Sequence, residues 1–368
     1  MLMVLPPARI SHGPETFRAI PGCELVVVGD REHAVADRSI VLRPRRVPVV
    51  GRSKHWTAAL AWLRGLDRLD PGPVDLVVSF ELFSVASAQA FALARRLGVP
   101  HVVRVTENLI GKPPYVLPPW RQIAHRTARH SDAFVCVTAG AQAVAEQLGC
   151  DRRRTAVVYH GIDIDRFSPA PEGLAPEPLV SFVGELRKLK GVLDLIAAFD
   201  RVVEVNPDAR LQIIGAGPLR AEIDALAATR PWIRVAGPCD RSEVPAILRG
   251  SRAVAVPSRT GKTLLPGVGE RWVEQFGFAL AEAMASGLPV VTTRCGAIPE
   301  VVPAWNPIVA EGDTAGLADA ILRVLGPDGD VVGVRNRPFV VDRYDIRKQG
   351  VKMGDAIGRL LAGGRDLG

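Results

Sequence analysis

Two glutamates with seven residues between them, Glu274 and Glu282, stand where an apolar segment begins: Glu274-Gln275-Phe276-Gly277-Phe278-Ala279-Leu280-Ala281-Glu282. Phe276-Gly277 reads as the turn that opens a helix, which puts Glu282 about one turn inside it and Glu274 on the loop ahead. A helix N-terminus presents unpaired N–H groups and partial positive charge, a seat for phosphate. Carboxylates on either side of such a seat accept hydrogen bonds from sugar hydroxyls. The chemistry suggested is recognition of a sugar attached to a phosphate. The bland alternative is an amphipathic helix with two solvated glutamates, and spacing alone does not displace it.

Further segments of this kind sit at expected strand ends. Gly184-Glu185-Leu186-Arg187-Lys188-Leu189-Lys190-Gly191 follows one strand and opens a helix, so that Lys190 can neutralise a phosphate at the helix entrance. Gly215-Ala216-Gly217-Pro218 closes the next strand; Arg220 stands where a dinucleotide fingerprint needs its third glycine. Pro257-Ser258 closes another. Gly261-Lys262-Thr263 lacks the glycine five residues earlier that a P-loop requires, since Val256 is there. Asp163-Ile164-Asp165 imitates a metal-binding aspartate pair. His125 and His130, five apart on one expected helix, face different ways. The expectation is no metal site.

The elements that must position these residues alternate. In the first half, short apolar runs at Met1–Pro6, Leu25–Val28, Ile40–Leu42, Leu76–Val78, Val102–Val105, Phe134–Val137 and Val157–Tyr159 are separated by helical patterns at His55–Leu69, Ser84–Leu97, Pro118–His130 and Ala139–Leu148. A proline-rich joint, Pro169 to Pro178, precedes a restart. Strands at Val180–Val183, Leu211–Ile214, Ile233–Val235, Val254–Val256 and Val290–Thr293 follow, with helices at Val192–Val203, Asp313–Leu325 and Asp345–Leu361. Buried strands alternating with helices give an α/β fold of parallel sheets covered on both faces. The reading is two doubly wound domains, 1–170 and 171–340, facing a cleft at the carboxyl ends of their strands, followed by a helix at 341–368.

At 368 residues, with 48% hydrophobic and 23% charged residues, the chain is neither disordered nor fibrous. Its apolar runs are too short to span a membrane, and the start lacks a signal peptide's basic flank. Five scattered cysteines, Cys136 in a core strand, imply a reducing compartment. The net charge of +7 is concentrated in the first half, at Arg43–Arg46, Arg52–Lys54 and Arg121–Arg129. Such a face attracts phosphorylated ligands or anionic lipid, or is simply solvated. Three tyrosines and no zinc-finger spacing argue against nucleic acid as the partner.

Taken in order, Gly184…Lys190-Gly191, Gly215-Ala216-Gly217-Pro218, Pro257-Ser258, Glu274-x7-Glu282 with Gly287-Leu288-Pro289-Val290, Gly296-Ala297-Ile298-Pro299-Glu300 and the linker Gly161-Ile162-Asp163-Ile164-Asp165-Arg166-Phe167-Ser168-Pro169 resemble retaining glycosyltransferases of family 4, with the GT-B fold of two Rossmann-like domains. The resemblance implies a sugar moved from a nucleoside-diphosphate sugar to a hydroxyl acceptor, without metal or other cofactor, in cell-surface polysaccharide or glycolipid synthesis. It implies a cytoplasmic protein, at the inner membrane face if the basic patches meet lipid, and a C-terminal helix returning to the first domain. By the same resemblance, Glu274 contacts the transferred sugar, Glu282 the ribose and Lys190 the diphosphate. Gly184, Gly215, Gly217 and the Phe276-Gly277-Phe278 backbone complete the donor site.

Departures from the family pattern are specific. Glu185 stands where an arginine is usual, and would repel phosphate unless Arg187 or Lys188 compensates. Glu107, with Asn108 beside it, stands near the place of a first-domain histidine, either as a catalytic substitute or as a strand cap. The first glycine-rich loop is reduced to Ser11–Glu15, with Gly13 carried over on the acceptor side. Arg259–Val273 is longer than usual, an acceptor lid or an insertion. Two other functions stay open: a nucleotide-sugar epimerase or hydrolase of the same architecture, and a non-catalytic nucleotide-sugar-binding subunit.

Overall fold

Runs such as Val26-Val27-Val28 and Ala253-Val254-Ala255-Val256 have no polar alternation, so they are stable only as strands covered on both faces. The computed structural model places them so. It describes residues 1–6, 13–45, 62–171, 177–262 and 271–365. The chain forms two units: Met1–Gly161 with Lys262–Arg271 and Ile346–Gly368, and Ile162–Gly261 with Trp272–Asp345.

In the first unit, seven strands run in parallel: β1 (Leu2–Val4), β2 (Val26–Gly29), β3 (Arg38–Val41), β4 (Val77–Phe80), β5 (His101–Val105), β6 (Ala133–Cys136) and β7 (Thr155–Val157). Their order is β3-β2-β1-β4-β5-β6-β7, with Met3 registered against Val27 on one side and Val78 on the other. The chain reverses its direction of winding between β1 and β4, the switch point at which such sheets open a crevice. Helices α1 (Gly13–Arg18), α2 (Val85–Leu97), α3 (Trp120–His130) and α4 (Ala139–Gln147) cover the faces. Thr138 caps α4 by accepting from the Ala141 N–H at 3.0 Å. Cys136 is buried, and all five cysteines are free.

The second unit repeats the plan with six parallel strands: β8 (Leu179–Val183), β9 (Arg210–Ile214), β10 (Ile233–Gly237), β11 (Ala253–Val256), β12 (Val290–Thr293) and β13 (Ile308–Val309). The order is β10-β9-β8-β11-β12-β13, so the switch point lies between β8 and β11. Around them are α5 (Val192–Val205), α6 (Arg220–Ala227), α7 (Val244–Arg249), α8 (Phe278–Ala285), α9 (Thr314–Leu325) and α10 (Pro327–Arg343). Helix α5 buries Val192, Leu195, Ile196, Phe199 and Val202, the stripe that a 3.6-residue period predicts. The Arg337 guanidinium on α10 donates to the carbonyls of Ile164, Phe167 and Ala285 at 2.9, 2.6 and 2.7 Å, which fastens the linker motif to the end of α8. The last helix, α11 (Ile346–Arg365), belongs to the first unit; Met353, Ala356 and Ile357 pack with Met3, Leu5 and Phe17. Among the described residues, no helix is long and apolar enough to cross a membrane.

Three expectations need correction. The helix expected over His55–Leu69 falls partly outside the described residues, and what is described is a short strand at Trp62–Leu63 and a single 3-10 turn at Leu66–Arg68. Gly65, with φ of +83°, breaks the helical path between them. The strand expected at Val157–Tyr159 lies earlier, at Thr155–Val157, because its ladder partners are Phe134 to Cys136. Helix α10 has no counterpart in the sequence reading, since its glycines and Pro338 read as breakers. Gly333 is there for closeness: a Cβ on it would come within 2.3 Å of the Gly287 carbonyl oxygen.

Candidate active site at the strand ends of the second unit

Glu274 is 7% exposed and Glu282 6%, so neither is the solvated glutamate of the bland alternative. Burying a carboxylate requires partners. One oxygen of Glu274 accepts from Lys190 Nζ at 2.7 Å and from Ser258 Oγ at 2.9 Å. Its backbone carbonyl accepts from the Ala297 N–H at 2.9 Å. Lys190 follows β8, Ser258 follows β11 and Ala297 follows β12, so three strand ends converge on one residue. Glu282 lies inside α8, and Arg241, from the loop after β10, pairs with it at 3.4 Å.

Local backbone explains why the sequence folds this way. Lys188–Lys190 is one 3-10 turn, and Gly191 ends it in the left-handed region before α5 begins. Gly277, at φ +84°, is the N-cap of α8, a conformation that costs any residue with a Cβ about 1–2 kcal/mol. The chain therefore turns sharply between Phe276, which is buried, and Phe278, and leaves the first N–H groups of α8 pointing out of the helix. The Gly184 and Gly215–Gly217 loops lie back to back: Leu186 N–H donates to the Ala216 carbonyl at 3.0 Å, and Leu219 N–H to the Leu186 carbonyl at 3.0 Å.

Sequence reasoning missed two members of this neighbourhood. Arg241 had a signal, a basic residue a few positions past an expected strand. Trp272 had none: its indole lies under Lys190, with Nζ 4.8 Å from the ring centroid, and Arg187 approaches the same ring at 5.8 Å. Arg187 also pairs with Glu185 at 3.5 Å. Asp163 accepts from the N–H groups of Asp165 and Arg166 at 3.2 and 3.1 Å, a local turn at the head of the linker. No group of three or more His, Cys, Asp or Glu side chains that could hold a metal occurs among the described residues.

The first unit gathers a different set at its strand ends. Glu107 is buried, forms an ion pair with Lys112 and accepts from the Leu109 N–H at 3.1 Å. Asn108 accepts from the Thr138 hydroxyl, and Gly13 opens α1. Beside them is Glu81, which the sequence did not single out. It follows β4 at the switch point, with φ of +66°, and is the non-glycine residue with positive φ among those described. Its carboxylate accepts from the Thr106 N–H at 3.0 Å, from the Thr106 hydroxyl and from Tyr115 OH at 3.3 Å. Burial, and then the charge of Glu107, push its pKa up to about 7. Arg104 on β5 is fully buried, its Nε, Nη1 and Nη2 have no hydrogen-bond partner among the described residues, and its guanidinium lies 6.0 Å from the Phe17 ring. Elsewhere in the first unit, Arg121, His125, Arg126, Arg129 and His130 of α3 line an open groove of about 570 Å³. Arg46, Arg52 and Lys54, with Ser11 and His12, lie outside the described residues, as does the Arg45 side chain.

Both halves of the chain match known families. The description "Glycosyltransferase Family 4" fits residues 19–166, and "Glycosyl transferases group 1" fits residues 177–326. The 2-deoxystreptamine glucosyltransferase of Streptomyces kanamyceticus is 26% identical over 83% of this chain and 82% of its own length. The D-inositol 3-phosphate glycosyltransferase of Actinosynnema mirum is 28% identical over 91% and 86%. With other relatives the match spans about half of their length, 45% and 46% in two cases. Among solved structures, Anabaena HepE in complex with UDP superposes with a TM-score of 0.74 at 17% identity, covering 97% of this chain and 99% of that one. This is the GT-B fold, and the chain belongs to the family 4 type of GT-B glycosyltransferases.

Proposed function

We propose that this glycosyltransferase takes its sugar from a nucleoside-diphosphate sugar, retains the sugar's configuration and needs no metal. The observation that carries the reading is the Lys190–Glu274–Ser258 cluster, built from separate strand ends beside the N-terminus of α8. The barrier to glycosyl transfer is the separation of negative charge on the leaving diphosphate from an oxocarbenium-like sugar. Fixed donors aimed at that diphosphate are the largest catalytic contribution available. Lys190 has three N–H donors and gives one to Glu274; the α8 backbone N–H groups are the second source of positive potential. Glu274 then meets the hydroxyls of the transferred sugar, and Glu282 those of the ribose. The departing phosphate takes the acceptor's proton on the same face, so no enzyme carboxylate has to act as nucleophile. HepE has been solved with UDP and with UDP-glucose, which supports a uridine nucleotide as the first donor to try.

The acceptor is proposed to be a hydroxylated compound bearing negative charge or carried on an anionic membrane, met from the cytoplasmic side. The basic groove along α3 supports this, as does a relative whose named substrate is a phosphorylated inositol. Glu107 and Asn108 are proposed for the acceptor side. Polysaccharide or glycolipid synthesis is the corresponding role. The test is donor turnover with and without added acceptor, in EDTA, with the product's anomeric configuration read by NMR. Acceptor-dependent turnover that survives EDTA and keeps the donor's configuration is expected. Inversion, or loss of activity restored by magnesium or manganese, would overturn the mechanism. Donor consumption without any acceptor would instead mark a hydrolase or epimerase, and binding without turnover a non-catalytic subunit.

A further inference from the structure

We propose that Trp272 is a positioning residue that holds Lys190 and Arg187 over one indole as a two-cation clamp for the donor diphosphate, with Arg187 supplying the charge that Glu185 does not. The inference rests on the donor-site reading above. It begins with a conflict: two cations close together repel, and one of them stands next to a carboxylate at the position where a phosphate would approach.

The geometry resolves that conflict. Arg187 is the extended residue that caps the 3-10 turn Lys188–Lys190, so one short segment carries both cations. Both reach the Trp272 ring, Lys190 at 4.8 Å and Arg187 at 5.8 Å, and the negative face of an indole attracts each of them. Each cation also has a carboxylate, Glu274 for Lys190 at 2.7 Å and Glu185 for Arg187 at 3.5 Å. These two pairs differ. The Glu274 side chain is 9% exposed, whereas that of Glu185 is 54% exposed and its charge is screened by water. Arg187 itself is only 16% exposed and Lys190 20%. The cations therefore sit deeper than Glu185, the acid that opposes phosphate. Trp272 lies two residues before Glu274, so one short segment sets both the aromatic platform and the sugar-facing carboxylate.

Titration calorimetry with UDP and UMP, with GDP and GMP as a second pair, tests the clamp. Trp272→Ala is expected to weaken the diphosphate by about threefold to tenfold, the range of one partly desolvated cation–π contact, and the monophosphate by less than about twofold. Trp272→Phe should restore most of the loss, which a general folding defect would not allow. Arg187→Gln should reproduce the loss, and the double variant Arg187→Gln/Trp272→Ala should lose little more, because the two act as a unit. In turnover assays the donor KM should rise more than kcat falls. Unchanged diphosphate affinity in Trp272→Ala, or equal losses for diphosphate and monophosphate, would overturn the clamp while leaving the donor site standing. If the unaltered protein binds neither diphosphate, the donor-site reading falls and the clamp with it.

Discussion

The strand ends of the two units differ in how completely their buried charges are paired. In the second unit both buried glutamates have a cation: Glu274 has Lys190, and Glu282 has Arg241. In the first unit Glu107 has Lys112, but Glu81 lies against Glu107, a like charge, and Arg104 is buried with no hydrogen-bond partner for its guanidinium among the described residues. Both sheets share one plan, with the switch point after the first strand, so topology does not cause the difference. A site whose charges are paired in advance costs little reorganisation when a charged ligand replaces one partner. A site with mismatched charge is a standing stability cost, tolerated where the surrounding fold enforces it.

The largest expected effect lies in the paired site. Lys190→Met should lower kcat by about 10²–10³-fold, the loss typical of removing one donor from a charge-stabilising site. Glu107→Gln in the first unit should cost less than about tenfold, since the amide oxygen can still accept from Leu109 while the charge that pairs with Lys112 is removed. Steady-state kinetics with saturating donor compares the two. Equal losses would erase the contrast between the units and give Glu107 a direct part in the chemistry.

Next in size is a pH effect confined to the mismatched side. The Glu81 pKa is raised to about 7 in the fold, from 4.5. Between those values the folded chain binds more protons than the unfolded one, so stability falls as pH rises. The contribution is complete below about pH 4.5 and is lost through pH 7, amounting to about 3 kcal/mol at most. Glu81→Gln should flatten this part of the melting-temperature profile. A profile that rises with pH over the same window, or is the same in both proteins, would show that Glu81 is ionised and well served where it stands.

What the sequence disclosed follows the same divide. The residues of the second unit's candidate site were legible because its parts are local: a glycine before a helix, a lysine one turn later, two glutamates around a helix start. Each is a backbone requirement written in adjacent residues. Whether Arg187 or Lys188 offsets Glu185 could be posed for the same reason. Trp272 and Arg241 were not legible, since their roles depend on loops that meet only after folding. Glu81 was hidden too: nothing in Ser79-Phe80-Glu81-Leu82 announces a left-handed backbone. Helix α10 was masked by Gly333 and Pro338; the reason for Gly333 lies in a neighbour distant along the chain, the Gly287 carbonyl.

The smallest expected effect tests whether the first unit's mismatch is structural cost alone. Arg104 sits on a central strand, fully buried, with aromatic contact to Phe17 and the nearby Cys136 and Glu81 as partial compensation. Burial pulls its pKa below the usual arginine range, to about 9, yet it remains charged near pH 7, so the fold carries the desolvation of a cation. Methionine matches its unbranched stem and fills the space without charge. Arg104→Met should therefore stabilise the protein at pH 7 by about 1–2 kcal/mol, at the low end of the gains seen when buried ions are replaced by apolar groups. The gain should begin to shrink only as pH rises past the lowered pKa, and should disappear only in the ordinary arginine range, because above about pH 9 the folded chain still has to give up a proton that the unfolded chain keeps. Chemical denaturation at about pH 7 and about pH 9.5, on either side of that pKa, measures both values. If Arg104→Met is instead less stable at both, the guanidinium is held by interactions that outweigh its desolvation, and the first unit's charges are paired as well as those of the second.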